Sequence, residues 1–281
     1  MEKNFDQKEL DRFLNSLSIA KDEESIESYI YIKNILDSIV FPVPFTIYRK
    51  GTKLVRSRVH KENEDFFETV DQLSYRRDIQ NIKSFGRANE PGQSIFYCSN
   101  NEIISYAESS SIVREDDEKD FEYITSGIWI LTEDIFVVNL LTNENIKGQH
   151  SEFDKSTESF ESIIDSQNDE NAFVVRSLLQ FFSKEFSTSI KENSNHYKIT
   201  SAFANYVFSL DKADGILYPS TKYTKEGFNF ALRTDVVDEK MKFYAAQRIK
   251  MLRMGDKKYV EVEKIESEIS ISDDNNIKWI R

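Results

Sequence analysis

Thiols are what this chain has least of, and prolines and glycines are few. Its 281 residues include one cysteine, four prolines and eight glycines. The single thiol, Cys98, excludes an internal disulfide framework and any site built from several thiolates. Histidine is nearly as scarce: His60, His150 and His196 stand far apart, no HExxH spacing exists, and no metal is expected. No apolar stretch approaches the length of a membrane span, and the opening MEKNFDQKEL has no apolar core of a secretory leader. A reducing, cytoplasmic location without membrane contact is therefore expected. Positive charge is also short, with 37 Lys and Arg against 49 Asp and Glu and a net charge of −12. No basic run offers an electrostatic footprint for a polyanion, so nucleic acid is not expected as a partner.

Apolar and aromatic residues are well supplied. Hydrophobic residues make up 39% of the chain and aromatics 13%, including 21 Phe and 13 Tyr, enough for a large packed core. The densest charge run, Glu115 to Asp120, reads as a solvated loop. Over residues 5–40, Leu10, Phe13, Leu14 and Leu17 form one helical stripe, and Ile26, Tyr29, Ile30, Ile32, Ile35, Leu36 and Ile39 form another. The FPVPF segment at 41–45 stops helix and starts extended chain, because proline lacks a donor and biases its predecessor away from α. This divides the chain into an N-terminal helical extension, 1–40, and a main domain, 41–281. Strands are predicted at Lys53–Val59, Ser94–Cys98, Gly127–Thr132, Ile135–Leu141, Gly215–Tyr218 and Phe228–Leu232, with alternation again at Tyr259, Val260, Val262 and Ile265. Helices are predicted near 101–110, 170–190, 197–210 and 236–250. Strands and helices do not alternate regularly, which predicts an α+β fold and not a doubly wound parallel sheet.

Five of the scarce glycines and prolines, Gly86, Pro91, Gly92, Gly215 and Pro219, fall inside two short segments, where sharp backbone geometry is expected. One is Phe85-Gly86-Arg87-Ala88-Asn89-Glu90-Pro91-Gly92-Gln93-Ser94-Ile95-Phe96-Tyr97, which runs on to Ser105-Tyr106-Ala107-Glu108. The other is Asp214-Gly215-Ile216-Leu217-Tyr218-Pro219-Ser220, followed by Gly227-Phe228-Asn229-Phe230-Ala231-Leu232. An earlier piece, Gly51-Thr52-Lys53-Leu54-Val55-Arg56-Ser57-Arg58, precedes both.

In this order the three pieces resemble the RES domain family: a GT-x-lyR-x-R strand, a GR-x-N-x-x-G turn ending in Tyr, a helix bearing Glu, and a distant DG-x-x-Y-x-S strand end. The resemblance runs from about residue 45 to about residue 245. It implies an ADP-ribosyltransferase-like α+β fold and an enzyme that consumes NAD by phosphorolysis or hydrolysis, often a toxin held in check by an antitoxin. NAD is then the substrate, inorganic phosphate a candidate co-substrate, and an inhibitory protein covering the active site the expected partner. By the same resemblance the catalytic set is Arg87, Tyr97, Glu108 and Ser220. The NAD contacts it implies are Arg56, Arg58, Arg87, Asn89, Tyr97, Ser220 and Asn229.

The chemistry of these residue types agrees. An arginine fork meets phosphate oxygens bidentately, at roughly 1.5–3 kcal/mol per charge-assisted bond. A tyrosine face suits the cationic nicotinamide ring. Loss of nicotinamide leaves oxocarbenium character on the ribose, which a carboxylate such as Glu108 would stabilise. Ser220 can hydrogen-bond ribose or carboxamide without being a nucleophile. Each residue also has a plainer role: Arg87 as a solvated cation, Glu108 as an exposed helix charge, Tyr97 as core, Ser220 as a cap. Cys98 reads as a buried structural thiol, no GxSxG elbow surrounds Ser220, and neither a Walker lysine nor GxGxxG spacing is present. Two other classes compete: ADP-ribosyl transfer onto a macromolecule, and a binding module without catalysis.

Overall fold

A computed structural model describes residues 7–23, 25–38, 42–114, 119–140, 158, 160–166, 169–188, 195–220, 227–254, 259–268 and 275–279. Ile39, Phe41, His150 and most of the acidic run, 115–118, lie outside the described residues. In chain order the elements are α1 (Gln7–Asp22), α2 (Ile26–Asp37), β1 (Phe45–Tyr48), β2 (Lys53–Val59), the one-turn α3 (Val70–Leu73), β3 (Phe96–Ser99), α4 (Glu102–Ser109), the one-turn α5 (Ser111–Arg114), β4 (Phe121–Leu131), β5 (Ile135–Asn139), α6 (Asp169–Ser187), α7 (Lys198–Phe208), β6 (Gly215–Pro219), β7 (Phe228–Leu232), α8 (Thr234–Lys240), β8 (Met241–Met254) and β9 (Tyr259–Glu268). The architecture is mixed α+β with an open sheet, not a barrel. The chain forms two compact units, each made of three separate stretches.

The first unit takes Met1–Ile47, Asp78–Ser94 and Phe136–Pro219. Its centre is α7, whose Ile199, Ala202, Phe203, Ala204 and Val207 are all buried. Phe203 stacks on Phe182 of α6 with ring centroids 4.1 Å apart. Burying each such ring stabilises the fold by about 1.5–3 kcal/mol. The α1 stripe of Leu10, Phe13 and Leu17 and the α2 stripe of Tyr29, Ile32 and Leu36 are buried as well, so the N-terminal helices pack within this unit. Lys198 places a cation in this buried setting, 1% exposed. Its ammonium donates to Glu23 O, to Ser25 O at 2.8 Å and to Ser28 Oγ at 2.8 Å. Three acceptors meet three N–H donors, which is how a buried cation avoids the full cost of desolvation. Strands β5 and β6 pair in parallel, with Val137 opposite Gly215. Asp214 pins the start of that pair, its Oδ2 accepting from Phe136 N at 2.9 Å.

The second unit takes Tyr48–Arg77, Ile95–Ile135 and Ser220–Arg281. Its strand order is β7-β3-β2-β4-β8-β9, and every neighbouring pair is antiparallel. Helix α4 starts at Asn101, whose side chain accepts from Ile104 N at 3.0 Å. It lies over one face of the sheet, where Ser105 Oγ donates to Ser57 Oγ of β2 at 2.7 Å. Strand alternation sends Arg56 and Arg58 to the other face, towards the 60–77 segment.

The predicted helix at 236–250 is corrected. Helix α8 ends at Lys240, and Met241 begins the longest strand, which pairs with β4 along its length.

Candidate active site

The sheet register builds the site. In the β3–β7 ladder Tyr97 lies opposite Ala231 and Ser99 opposite Asn229. Residues opposite one another or two apart share a face, so Tyr97, Ser99 and Asn229 all look to the face that α4 covers. Glu108, in the last turn of α4, reaches down to this face. Its Oε1 accepts from Ser220 Oγ at 2.5 Å and from Asn229 Nδ2 at 3.0 Å. Asn229 in turn accepts at Oδ1 from Ser99 Oγ at 2.6 Å. Ser220, Asn229 and Ser99 are 1%, 4% and 3% exposed, whereas Glu108 and Tyr97 are half-buried. The result is a carboxylate at the edge of water whose direction is set by buried donors.

Two further features fix α4. Gly227 packs so closely beneath it that a Cβ there would lie 2.1 Å from Ile104 Cδ1. A seam of hydroxyls joins the helix to the strands: Ser57 Oγ lies 2.7 Å from Ser126 Oγ, and Ser109 Oγ donates to Ser57 O at 3.2 Å and to Ser105 O at 2.8 Å. Backbone near Ser220 is held too, its N–H donating to Gly227 O at 2.9 Å.

Of the residues singled out in the sequence, Glu108, Ser220 and Asn229 come into direct contact, and Tyr97 shares their face. The arginines are engaged otherwise. Arg56 donates from Nη1 to Tyr97 O at 2.8 Å and from Nε to Ser74 O at 3.2 Å. Withdrawal of its guanidinium from water, with Arg58 nearby, lowers its pKa to about 10. Arg58 donates to Gln72 O and lies over the Phe67 ring, 4.3 Å from its centroid.

Arg87 and Asn89 belong to the first unit. Arg87 caps the end of α6, donating to Phe186 O and to Thr188 O at 3.2 Å, with its guanidinium over the Tyr197 and Tyr218 rings. Asn89 donates to Glu90 O at 3.1 Å and so stays within its own turn. That turn needs its glycine: Gly92 has φ +81°, a left-handed conformation that side chains resist. Helices α2 and α7 hold the turn through Tyr29 OH to Glu90 Oε2 at 2.6 Å and Gln93 Nε2 to Asn205 Oδ1 at 2.8 Å.

Sequence reasoning missed Ser99 and Ser126, and gave no role to Gly227, Ser57 or Ser105 although they stand in the segments it singled out. Only the β3–β7 register reveals Ser99, and no local pattern marks it. Cys98 is buried and its thiol pKa is pushed up by burial, which removes it as a nucleophile at neutral pH. Among the described residues no group of three His, Cys, Asp or Glu side chains is placed to hold a metal ion, and no helix is long and apolar enough to cross a membrane.

No family model matches the chain, and no curated protein matches it either. The likeness to the RES domain therefore stands on its motif residues.

Proposed function

We propose that the chain cleaves NAD at its nicotinamide–ribose bond, with Glu108 as the residue on which catalysis turns. The observation that supports this reading is the convergence of Ser220 and Asn229 on one oxygen of Glu108, at 2.5 Å and 3.0 Å. These residues come from motifs far apart in sequence. A carboxylate oriented beforehand suits a reaction in which positive charge grows on a sugar carbon, because it needs no reorganisation when that charge appears.

In the proposed reaction the C1′–N bond breaks and nicotinamide leaves as a neutral base with the bonding electron pair. Oxocarbenium character on C1′ is met by Glu108. An oxygen of water or of inorganic phosphate then bonds to C1′, and its proton is released. Tyr97, half-buried on the same face, is proposed to stack against the nicotinamide ring. Ser220 spends its one proton on Glu108, so towards a ligand it serves as an acceptor, matching a ribose hydroxyl. To meet the pyrophosphate, Arg56 and Arg58 would exchange their carbonyl partners for phosphate oxygens. An enzyme that drains a free NAD pool needs restraint, for which a separate inhibitory protein covering Glu108 is the simplest form.

Incubation with NAD alone, with and without phosphate, tests the reading by the nicotinamide set free. Release by wild type and loss of about 100-fold or more in Glu108→Gln is the expected result. Nicotinamide that appears only when a macromolecular acceptor is added would move the assignment to ADP-ribosyl transfer. Absence of release under both conditions would leave a binding role.

A further inference from the structure

Asn229 stands out because both ends of its amide are committed. Its Oδ1 lies 2.6 Å from Ser99 Oγ and its Nδ2 lies 3.0 Å from Glu108 Oε1. The two ends of an asparagine amide are told apart by chemistry, not by shape. Here the chemistry decides. Turning the amide over would set its carbonyl oxygen against the Glu108 carboxylate, acceptor against acceptor. The nitrogen must therefore face Glu108, which turns the oxygen to Ser99, and the serine must donate. Antiparallel pairing of Ser99 with Asn229 brings the two side chains together on one face without any loop to hold them. Both residues are buried, so neither donor is shared with bulk water.

We infer that Ser99 and Asn229 form a positioning pair: Ser99 fixes the amide of Asn229, and that amide fixes the Glu108 carboxylate in the direction its reaction requires. The inference rests on the proposed NAD-cleaving role of Glu108 for its catalytic meaning. It changes the role of Asn229 from a contact to NAD, as the family resemblance implies, to a residue that acts through Glu108. It also adds Ser99, which no motif includes.

The test uses the full chain and two readouts. Steady-state cleavage of NAD is measured for wild type, Asn229→Ala, Ser99→Ala and Ser99→Thr. The Glu108 carboxyl is titrated in each by carbon-13 NMR of labelled glutamate, its signal identified by loss in Glu108→Gln. Asn229→Ala is expected to lower kcat about tenfold or more with KM for NAD held within about twofold, since the group acts in the transition state and not on the ligand. The same change removes a donor from the carboxylate, so the Glu108 signal should follow a different course from that of wild type. Ser99→Ala should move both readouts in the same direction by less, and Ser99→Thr, which restores a hydroxyl, should recover them. A raised KM with unchanged kcat would return Asn229 to ligand contact and overturn the pair, as would a Glu108 titration that ignores both substitutions. If Asn229→Ala does not fold, Ser99→Ala gives the same two readings. If wild type releases no nicotinamide, the catalytic reading fails by itself, and the carboxyl titration still decides whether the pair controls Glu108.

Discussion

Gly227 and His60 show how much a single position can carry. A methyl group added at Gly227 would meet Ile104 at 2.1 Å, and Ile104 belongs to the helix that holds Glu108. Gly227→Ala is expected to cost about 1–3 kcal/mol in urea unfolding by overpacking. A second change, Ile104→Ala, should give part of that back; if the double variant is no more stable than Gly227→Ala, the clash is not the cause. His60 is 8% exposed, its Nε2 2.7 Å from Thr125 Oγ1 and its ring stacked on Phe67. Burial lowers its pKa below 6.5, and the nearby charges of Arg248 and Arg58 add to this against an opposing pull from Glu64. Above about pH 6.5 both folded and unfolded chains hold this ring neutral. Below that value the unfolded chain takes a proton that the native chain refuses, so stability falls as pH falls towards the lowered native pKa. Comparing thermal melts at pH 7.5 and 5.5, wild type should lose more stability than His60→Gln. Equal losses would remove His60 as the source.

Helix α6 shows what an arginine does when it meets carbonyls before it meets a ligand. Arg87 bonds Phe186 O and Thr188 O at the end of α6, where unpaired carbonyls gather. Arg87→Ala is expected to lower unfolding free energy by about 1–3 kcal/mol, measured in urea without any ligand. Unchanged stability would free Arg87 for a purely ligand-binding role. At this scale much was legible in the sequence. Residues Lys53–Val59 and Phe228–Leu232 alternate or run apolar between turn residues, and both are strands with those bounds. Helices α6 and α7 lie within a few residues of the periodicities that predicted them. Strand β8 was hidden for a physical reason. Its sequence, MKFYAAQRIKMLRM, is rich in helix formers. A bulge at the Ile128/Trp129 step also breaks its period-two pattern, so Phe243, Ala245, Ala246 and Ile249 do not alternate cleanly. The site was legible only as motifs. Glu108, Ser220 and Asn229 could be named from sequence, but their meeting at one oxygen depends on strand register, and register is not written in any one segment.

The N-terminal helices are tied to the rest of the first unit by polar as well as apolar contacts. Lys21 bonds Glu185 at 3.1 Å, and Glu23, Ser25 and Ser28, at the junction of α1 and α2, accept from buried Lys198. Deleting residues 1–40 would remove these three acceptors from a buried ammonium, at a cost of several kcal/mol. The 41–281 fragment is therefore expected to be aggregated or partly unfolded in size-exclusion chromatography, and a monodisperse fragment with an unchanged melt would refute this. The interleaving of the two units also sets an order of events during synthesis. The first unit draws on residues up to Pro219 and the second on both Glu108 and the stretch from Ser220 onward. At roughly 5–20 residues per second, helices α1 and α2 wait on the order of ten seconds on the ribosome before α7 emerges to receive them. Glu108 likewise emerges well before Ser220 and Asn229. A nascent chain arrested ahead of Ser220 thus carries the Glu108 carboxylate but neither of the donors that aim it, and the arrangement is complete only once Asn229 has been added.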